Sequence, residues 1–321
     1  MNTFGRIFRI HIFGESHGEN IGVVVDGCQE GISLQPDDFG PDLARRRSGA
    51  KGTTARREPD EPKIVSGIYN GYTTGAPLAI LFGNHDAHSG DYAQFREMPR
   101  PGHADFAATK KWNNFNDLRG SGHLSGRLTL ALTAAGVVAK KCIAPIVVNA
   151  MLTEAGGHAN IDEAVEKTIR ENDSIGGVVA CCVQHVPVGL GEPFFDTVES
   201  LLAHLLFAIP AVKGVEFGAG FAAAAMKGSQ HNDPIISPDG KTATNNAGGV
   251  TGGITNGNDL FFRVAVKPTS SIIRPQQTVN LATGGIETLE VRGRHDACIA
   301  LRVPVIVEAA AAIVLCDLLK F

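Results

Sequence analysis

Phe13-Gly14-Glu15-Ser16-His17-Gly18 stands between two apolar runs near the start of a chain of 321 residues. Residues 7–13 alternate apolar and cationic side chains with the period of a half-buried strand, and residues 21–26 read as a second strand. The hexapeptide is therefore predicted to be the turn that joins them. Its two glycines permit backbone torsions closed to other residues, and between them stand a carboxylate, a hydroxyl and an imidazole. Such groups can move a proton or hold an anion. A plain hairpin loop with solvated polar residues fits the same string.

Downstream, residues 37–47 are predicted to form a short helix, with acids at its start and Arg45-Arg46-Arg47 at its end, as the helix dipole favours. Residues 48–60, rich in Gly, Thr and Arg, lack periodicity and read as a loop that orders when something anionic neutralises it. Residues 63–69 and 78–82 read as strands around the turn Tyr72-Thr73-Thr74-Gly75, and His103 follows the turn Pro101-Gly102. Residues 126–142 are apolar all round, the pattern of a buried helix. Ser125 can cap it, and Arg127 sits where exposed amides favour an anion. Further helices are expected over 161–170, 196–209 and 304–319, and a strand over 178–188. Residues 245–259 hold five glycines, which fit either tight turns or backbone left bare for a flat ring.

With 43% hydrophobic residues, the chain can bury a sizeable core as one domain over 1–321. No run of about 18 apolar residues, no leader pattern and no lipidation motif is visible, so a cytoplasmic protein is expected. Six cysteines lack any C-x-x-C pair, and five lie in apolar surroundings, which predicts buried reduced thiols with neither disulfide nor metal. A net charge of −4 disfavours a nucleic-acid binder. Cations nevertheless gather on Gly-rich turns, at 45–47, 56–57, 100, 119, 127, 267, 292 and 294, as a compact polyanionic small molecule requires. The phosphate loop of ATP enzymes and the G-x-G-x-x-G of nicotinamide enzymes are both missing.

Two further strings carry chemistry. Lys267-Pro268-Thr269-Ser270-Ser271 follows a predicted strand and offers a cation with three hydroxyls, a set suited to a phosphate monoester. Arg294-His295-Asp296 sets a guanidinium, an imidazole and a carboxylate side by side, of which at most two can share a pocket.

These strings also resemble, in order, the signatures of the chorismate synthase family. The likeness begins at the hexapeptide and continues through Arg45-Arg46-Arg47-Ser48-Gly49, Arg100-Pro101-Gly102-His103-Ala104-Asp105, Asp173-Ser174-Ile175-Gly176-Gly177 and Gly189-Leu190-Gly191-Glu192-Pro193, to Lys267-Pro268-Thr269-Ser270-Ser271 and Gly293-Arg294-His295-Asp296. It covers essentially the whole chain. The resemblance implies an α/β chain of the α+β type, with central helices sandwiched between antiparallel sheets, assembled as a homotetramer. It implies a carbon–oxygen lyase that eliminates phosphate from 5-enolpyruvylshikimate 3-phosphate to give chorismate. The cofactor would be reduced FMN (FMNH2), with NADPH as an external source of reducing equivalents and a separate flavin reductase.

On the same resemblance, His17, His103 and Asp296 are the expected catalytic residues. Ser125, Pro210, Ala211, Gly252, Lys267, Pro268, Thr269, Ser270, Ser271 and Arg294 are expected at the flavin, and Ser16, Arg46, Arg100, Arg127 and Arg294 at the substrate. One stretch departs from the family. Where many members carry Arg-Ser-Ser-Ala-Arg-Glu-Thr, this chain has His123-Leu124-Ser125-Gly126-Arg127-Leu128-Thr129, so contacts there are expected to be rearranged. A non-catalytic flavin- or anion-binding paralogue is the rival reading.

Overall fold

A computed structural model describes residues 1–86, 89–291, 293 and 295–319. The apolar runs flanking the hexapeptide form a hairpin. Strands β2 (Arg9–Gly14) and β3 (Asn20–Asp26) pair antiparallel, with Arg9 opposite Asp26 and Gly14 opposite Ile21. Gly14 has φ 96°, and a Cβ there would lie 2.4 Å from the Asn20 carbonyl oxygen, so the turn needs a glycine. β1 (Thr3–Phe4), β4 (Lys63–Ser66) and β7 (Leu78–Gly83) complete a five-stranded sheet in the order β1-β2-β3-β7-β4; a small hairpin of β5 (Ile68–Tyr69) and β6 (Tyr72–Thr73) interrupts the sequence. Tyr72 and Thr73 are thus strand residues, and the bend lies at Asn70-Gly71, both with positive φ.

A second antiparallel sheet runs β10-β13-β9-β8, from β8 (Val147–Ala155), β9 (Gly177–Gln184), β10 (Val212–Phe217) and β13 (Leu260–Val266). Alternation sorts its faces. Val179, Cys181 and Val183 of β9 and Leu260, Phe262 and Val264 of β13 point into the core. β9 stops earlier than the expected residue 188, because His185 adopts a left-handed φ of 62° that ends the ladder. The hairpins β11 (Val250–Thr251) with β12 (Ile254–Thr255) and β14 (Gln276–Val279) with β15 (Ile286–Leu289) lie outside the two sheets.

The helices are α1 (Gly40–Arg46), α2 (Asp105–Lys111), α3 (Thr129–Cys142), α4 (Ile161–Arg170), α5 (Val198–Ala208), α6 (Gly228–His231) and α7 (Pro304–Leu318). α5 starts two residues later than expected, because Thr197 caps it by accepting a hydrogen bond from the Ser200 amide at 3.0 Å. α3 lies against the first sheet and α7 against the second, and the two pack on each other. Central helices between antiparallel sheets are therefore the observed architecture. Residues 305–318 of α7 are all buried, as a helix apolar on every side requires. The seam with α3 is closed by small residues: a Cβ at Gly136 would lie 2.2 Å from that of Ala309.

Two carboxylates interrupt this apolar layer, each with partners. Glu308 accepts both Arg45 Nη1 and Nη2 at 2.7 Å, Lys140 Nζ at 2.8 Å and the Ala150 amide at 2.9 Å. Asp317 Oδ1 accepts the consecutive amides of Arg6, Ile7 and Phe8 at 2.7, 2.6 and 2.9 Å, which anchors the start of the chain on the end of α7. All six cysteines are free thiols, and five are buried. No described helix is long and apolar enough to cross a membrane.

Candidate active site

A cavity of about 830 Å3 is lined by β1, β2, the last turns of α5 and the residues that lead into α3 and α7. Among the described residues, eight cations line it (Arg46, Arg47, Arg56, Arg100, Arg127, Lys213, Lys267 and Arg302) against three carboxylates (Glu58, Asp60 and Asp296). Its net positive charge suits a polyanion.

The hexapeptide lies at one side. Ser16 is 1% exposed; its hydroxyl accepts Arg56 Nη1 at 2.9 Å, its carbonyl accepts Arg56 Nη2 at 3.1 Å, and its amide donates to Gly122 O at 3.1 Å. His17 is not itself a lining residue, although it stands beside them. Its ring meets Tyr92 edge-on at 5.2 Å, and the loop at Gly120 closes so tightly over it that a Cβ there would be 2.4 Å from His17 Cδ2.

Arg46 and Arg127 enter from α1 and from the turn that Ser125 caps, where the Ser125 hydroxyl accepts the Arg127 amide. Both are buried, and both reach Asp60: Arg127 Nη1 is hydrogen-bonded to Oδ1, and Arg46 Nη1 is 3.5 Å from Oδ2. Burial, with Arg302 nearby, pushes the Arg46 pKa down, and Asp60 acts in the opposite direction. Arg56 is held in turn by Glu58 Oε1, at 3.0 Å from Nε and 2.7 Å from Nη2. The 48–60 loop thus brings its own counter-charges into the cavity.

Arg100 and His103 share a turn that is tied to the Lys267–Ser271 string. Arg100 Nη1 donates to Ser271 Oγ at 2.9 Å, Lys267 Nζ to Gly102 O at 3.2 Å and Ser270 Oγ to Gly102 O at 2.7 Å. Burial, reinforced by the charge of Lys213, pushes the Lys267 pKa down. Asp296 is 8% exposed, accepts Arg302 Nη2 at 2.8 Å and accepts the Thr54 amide at 3.0 Å. Ser125, Pro210, Ala211 and all of Lys267, Pro268, Thr269, Ser270 and Ser271 line the same cavity.

Some expected residues are elsewhere. Gly252 lies in the β11–β12 turn and does not line the cavity; a Cβ there would meet nothing within 4 Å. Arg45 is committed to Glu308 and Arg119 to Asp117. Arg292 and Arg294 lie outside the described residues. In the altered stretch, His123 does line the cavity, fixed by Nδ1 at 2.8 Å from Gly14 O and Nε2 at 3.1 Å from Asn2 Oδ1, and Leu124 and the buried Leu128 line it as well. Glu58, Asp60, Tyr92, Ser121 and Arg302 were not singled out as site residues from sequence. Each is an isolated polar or aromatic residue in an aperiodic segment, and only the fold brings it to the arginines.

The family model for chorismate synthase matches residues 8–319, a span that holds every cavity-lining residue except those of the first strand and the residues before it. The chain belongs to the chorismate synthase family. A chorismate synthase of Chitinophaga pinensis is 60% identical over 318 residues, covering 99% of this chain and 96% of that protein. One from Dehalococcoides mccartyi is 45% identical over 349 residues, covering 99% of this chain and 96% of the relative. A crystal structure of chorismate synthase superposes with a TM-score of 0.76 at 25% identity, over 98% of this chain and 92% of that one. The sandwich described above is thus the fold of a solved chorismate synthase.

Proposed function

We propose that this chain is a carbon–oxygen lyase that converts 5-enolpyruvylshikimate 3-phosphate to chorismate and inorganic phosphate, with reduced FMN as cofactor. The observation that carries this reading is the meeting of Ser16, His103, Asp296 and three buried arginines, Arg46, Arg100 and Arg127, in one positively charged cavity. The substrate bears two carboxylates and a phosphate, which guanidinium forks match. The cavity also fits a flavin phosphate. Thr269 Oγ1 and Arg302 Nε are shielded from solvent and have no hydrogen-bond partner among the described residues, and Lys267 with the Ser270 hydroxyl stands beside Thr269. Held by these residues, reduced flavin would supply transient electron density to the allylic system of the substrate.

The residues divide the remaining work. Arg46, Arg100 and Arg127 hold the substrate anions, sharing Asp60 and Asp105 as counter-charges. His17 gives a proton to the departing phosphate oxygen, which leaves a neutral imidazole, while Ser16 and Arg56 fix the backbone beside it. His103 balances negative charge in the cavity, and Asp296, positioned by Arg302, assists removal of the C6 hydrogen, which is lost as a proton. Ser125, Pro210 and Ala211 wall the flavin.

The source of reduced flavin on this reading is a separate NADPH-dependent reductase. The assembly is a homotetramer, supported by apolar residues on the outer face of the second sheet, where Val147 and Met151 are 43% and 65% exposed. The non-catalytic alternative finds no support, since His17, His103 and Asp296 are all present. Anaerobic assay with dithionite-reduced FMN tests the proposal. Chorismate and phosphate should appear in equal amounts, and His17→Ala should be slower by about 100-fold or more. Protein that binds FMN and substrate yet forms no chorismate would overturn it.

A further inference from the structure

Asp105 stands directly behind the cavity with its side chain 1% exposed, and both of its oxygens are engaged by cavity residues. Oδ2 accepts the Arg100 amide at 3.1 Å and Arg100 Nε at 2.8 Å. Oδ1 lies 2.8 Å from Arg100 Nη2 and 2.7 Å from His103 Nδ1. On the far side of the ring, His103 Nε2 is 3.1 Å from Ser121 Oγ, which is itself 3.3 Å from Arg100 Nη2. Asp105 is the first residue of α2, after the N-cap Ala104, and the bonds described for its oxygens run to Arg100 and His103.

The donor inventory fixes the proton. An ionised carboxylate only accepts, and a guanidinium only donates. Burial alone would raise the Asp105 pKa, but hydrogen bonds from Arg100 and His103 outweigh it and hold the carboxyl well below its usual range. The 2.7 Å contact with Nδ1 is therefore an N–H donating to Oδ1. The 3.2 Å approach of Arg100 Nη2 to the same nitrogen is a juxtaposition of two donors. In the neutral ring Nε2 then keeps its lone pair and can accept the Ser121 hydroxyl proton, whereas in the imidazolium the same hydroxyl accepts from Nε2.

We propose that Asp105 is a positioning residue that fixes His103 as its Nδ1–H tautomer, so that Nε2 is the atom that exchanges a proton with the cavity, while the same carboxylate sets the Arg100 fork. A proton taken up at Nε2 makes an imidazolium whose charge is offset by Asp105, and its departure restores the starting tautomer. No electron is moved. The proposal rests on the reading of His103 as a charge-balancing residue, but its tautomer is observable without turnover.

The test uses protein labelled with 15N-histidine, with the His103 signals assigned by their loss in His103→Gln. Wild-type protein should show a protonated Nδ1; a bare Nδ1 overturns the proposal even if every Asp105 variant misfolds. In Asp105→Asn the amide oxygen is favoured at the Oδ2 position, where two Arg100 donors converge against one at Oδ1, so the NH2 faces His103 and Arg100 Nη2. The ring should then invert to the Nε2–H form, and kcat should fall about 100-fold, more than KM rises, because the reacting atom is misassigned. A variant that keeps the Nδ1–H signature, with only a lower Tm, overturns the proposal and makes Asp105 merely structural. Wild-type protein with Nδ1–H but no chorismate formation would instead count against the proposed function and leave the tautomer assignment standing.

Discussion

The carboxylate of Asp60 and the guanidinium of Arg127 form an ion pair in which the side chains are only 1% and 5% exposed. Arg46 approaches the same carboxylate, so one aspartate compensates two buried cations. Asp60 has a left-handed φ of 53°, which Asn tolerates, so Asp60→Asn isolates the charge. It should lower stability by about 3–5 kcal/mol by leaving the arginines uncompensated. Inorganic phosphate should restore much of this loss. An equal Tm deficit with and without phosphate would show that bound anions do not stand in for Asp60.

Asp317 holds the start of the chain through three amides on a single oxygen. Asp317→Ala leaves the buried Phe8 amide unpaired, and should cost about 1–3 kcal/mol. Hydrogen exchange should accelerate at residues 6–8 and in β1. Unchanged protection there would mean that the sheet alone secures this segment.

Gly136→Ala would raise intrinsic helix propensity by about 1 kcal/mol at an exposed site. Against Ala309 the opposite is expected. The added methyl has no room, and overpacking should give a net loss of about 1–3 kcal/mol in chemical denaturation. A stabilised Gly136→Ala would mean that the two helices can separate freely.

Glu308 should contribute to acid sensitivity. Burial raises its pKa, but hydrogen bonds from Arg45 and Lys140 prevail and hold it below the usual glutamate range. A carboxyl whose pKa is depressed by folding contributes stability that is complete above its unfolded value, about 4.3, and is lost as pH falls through the lower folded value. The stability gap between wild type and Glu308→Gln should therefore be widest near neutrality and narrow below about pH 4. A gap independent of pH would assign the effect to packing.

The parts of this fold legible in the sequence were those with local physics. Residues 161–170 emerged as a helix because its apolar positions recur at helical spacing, and the hexapeptide hairpin because two apolar runs flank a Gly-bounded turn. The arginines could be assigned to turns, but their destinations could not. Arg45, Arg46 and Arg47 are consecutive, yet Arg45 turns to Glu308 while Arg46 turns to Asp60. Only helix rotation against α7 separates them. Asp60 and Glu58 were invisible because a lone carboxylate in an aperiodic loop has no signal until the chain folds back. Gly252 was assigned to the flavin by resemblance alone, and it is not among the residues that line this cavity.

The small-residue seam between Gly136 and Ala309 reaches beyond stability. α3 and α7 both begin beside the cavity, and Gly136 is seven residues into α3, about 10 Å along its axis. Both helices present the positive ends of their dipoles toward the anion-binding arginines. The span between those ends is set by how closely the helices cross. Side-chain volume in the dry interior therefore acts as a ruler for the binding chamber. Thickening the seam by a methylene or two would splay the two starts and loosen the grip on an anion that none of the altered residues touches.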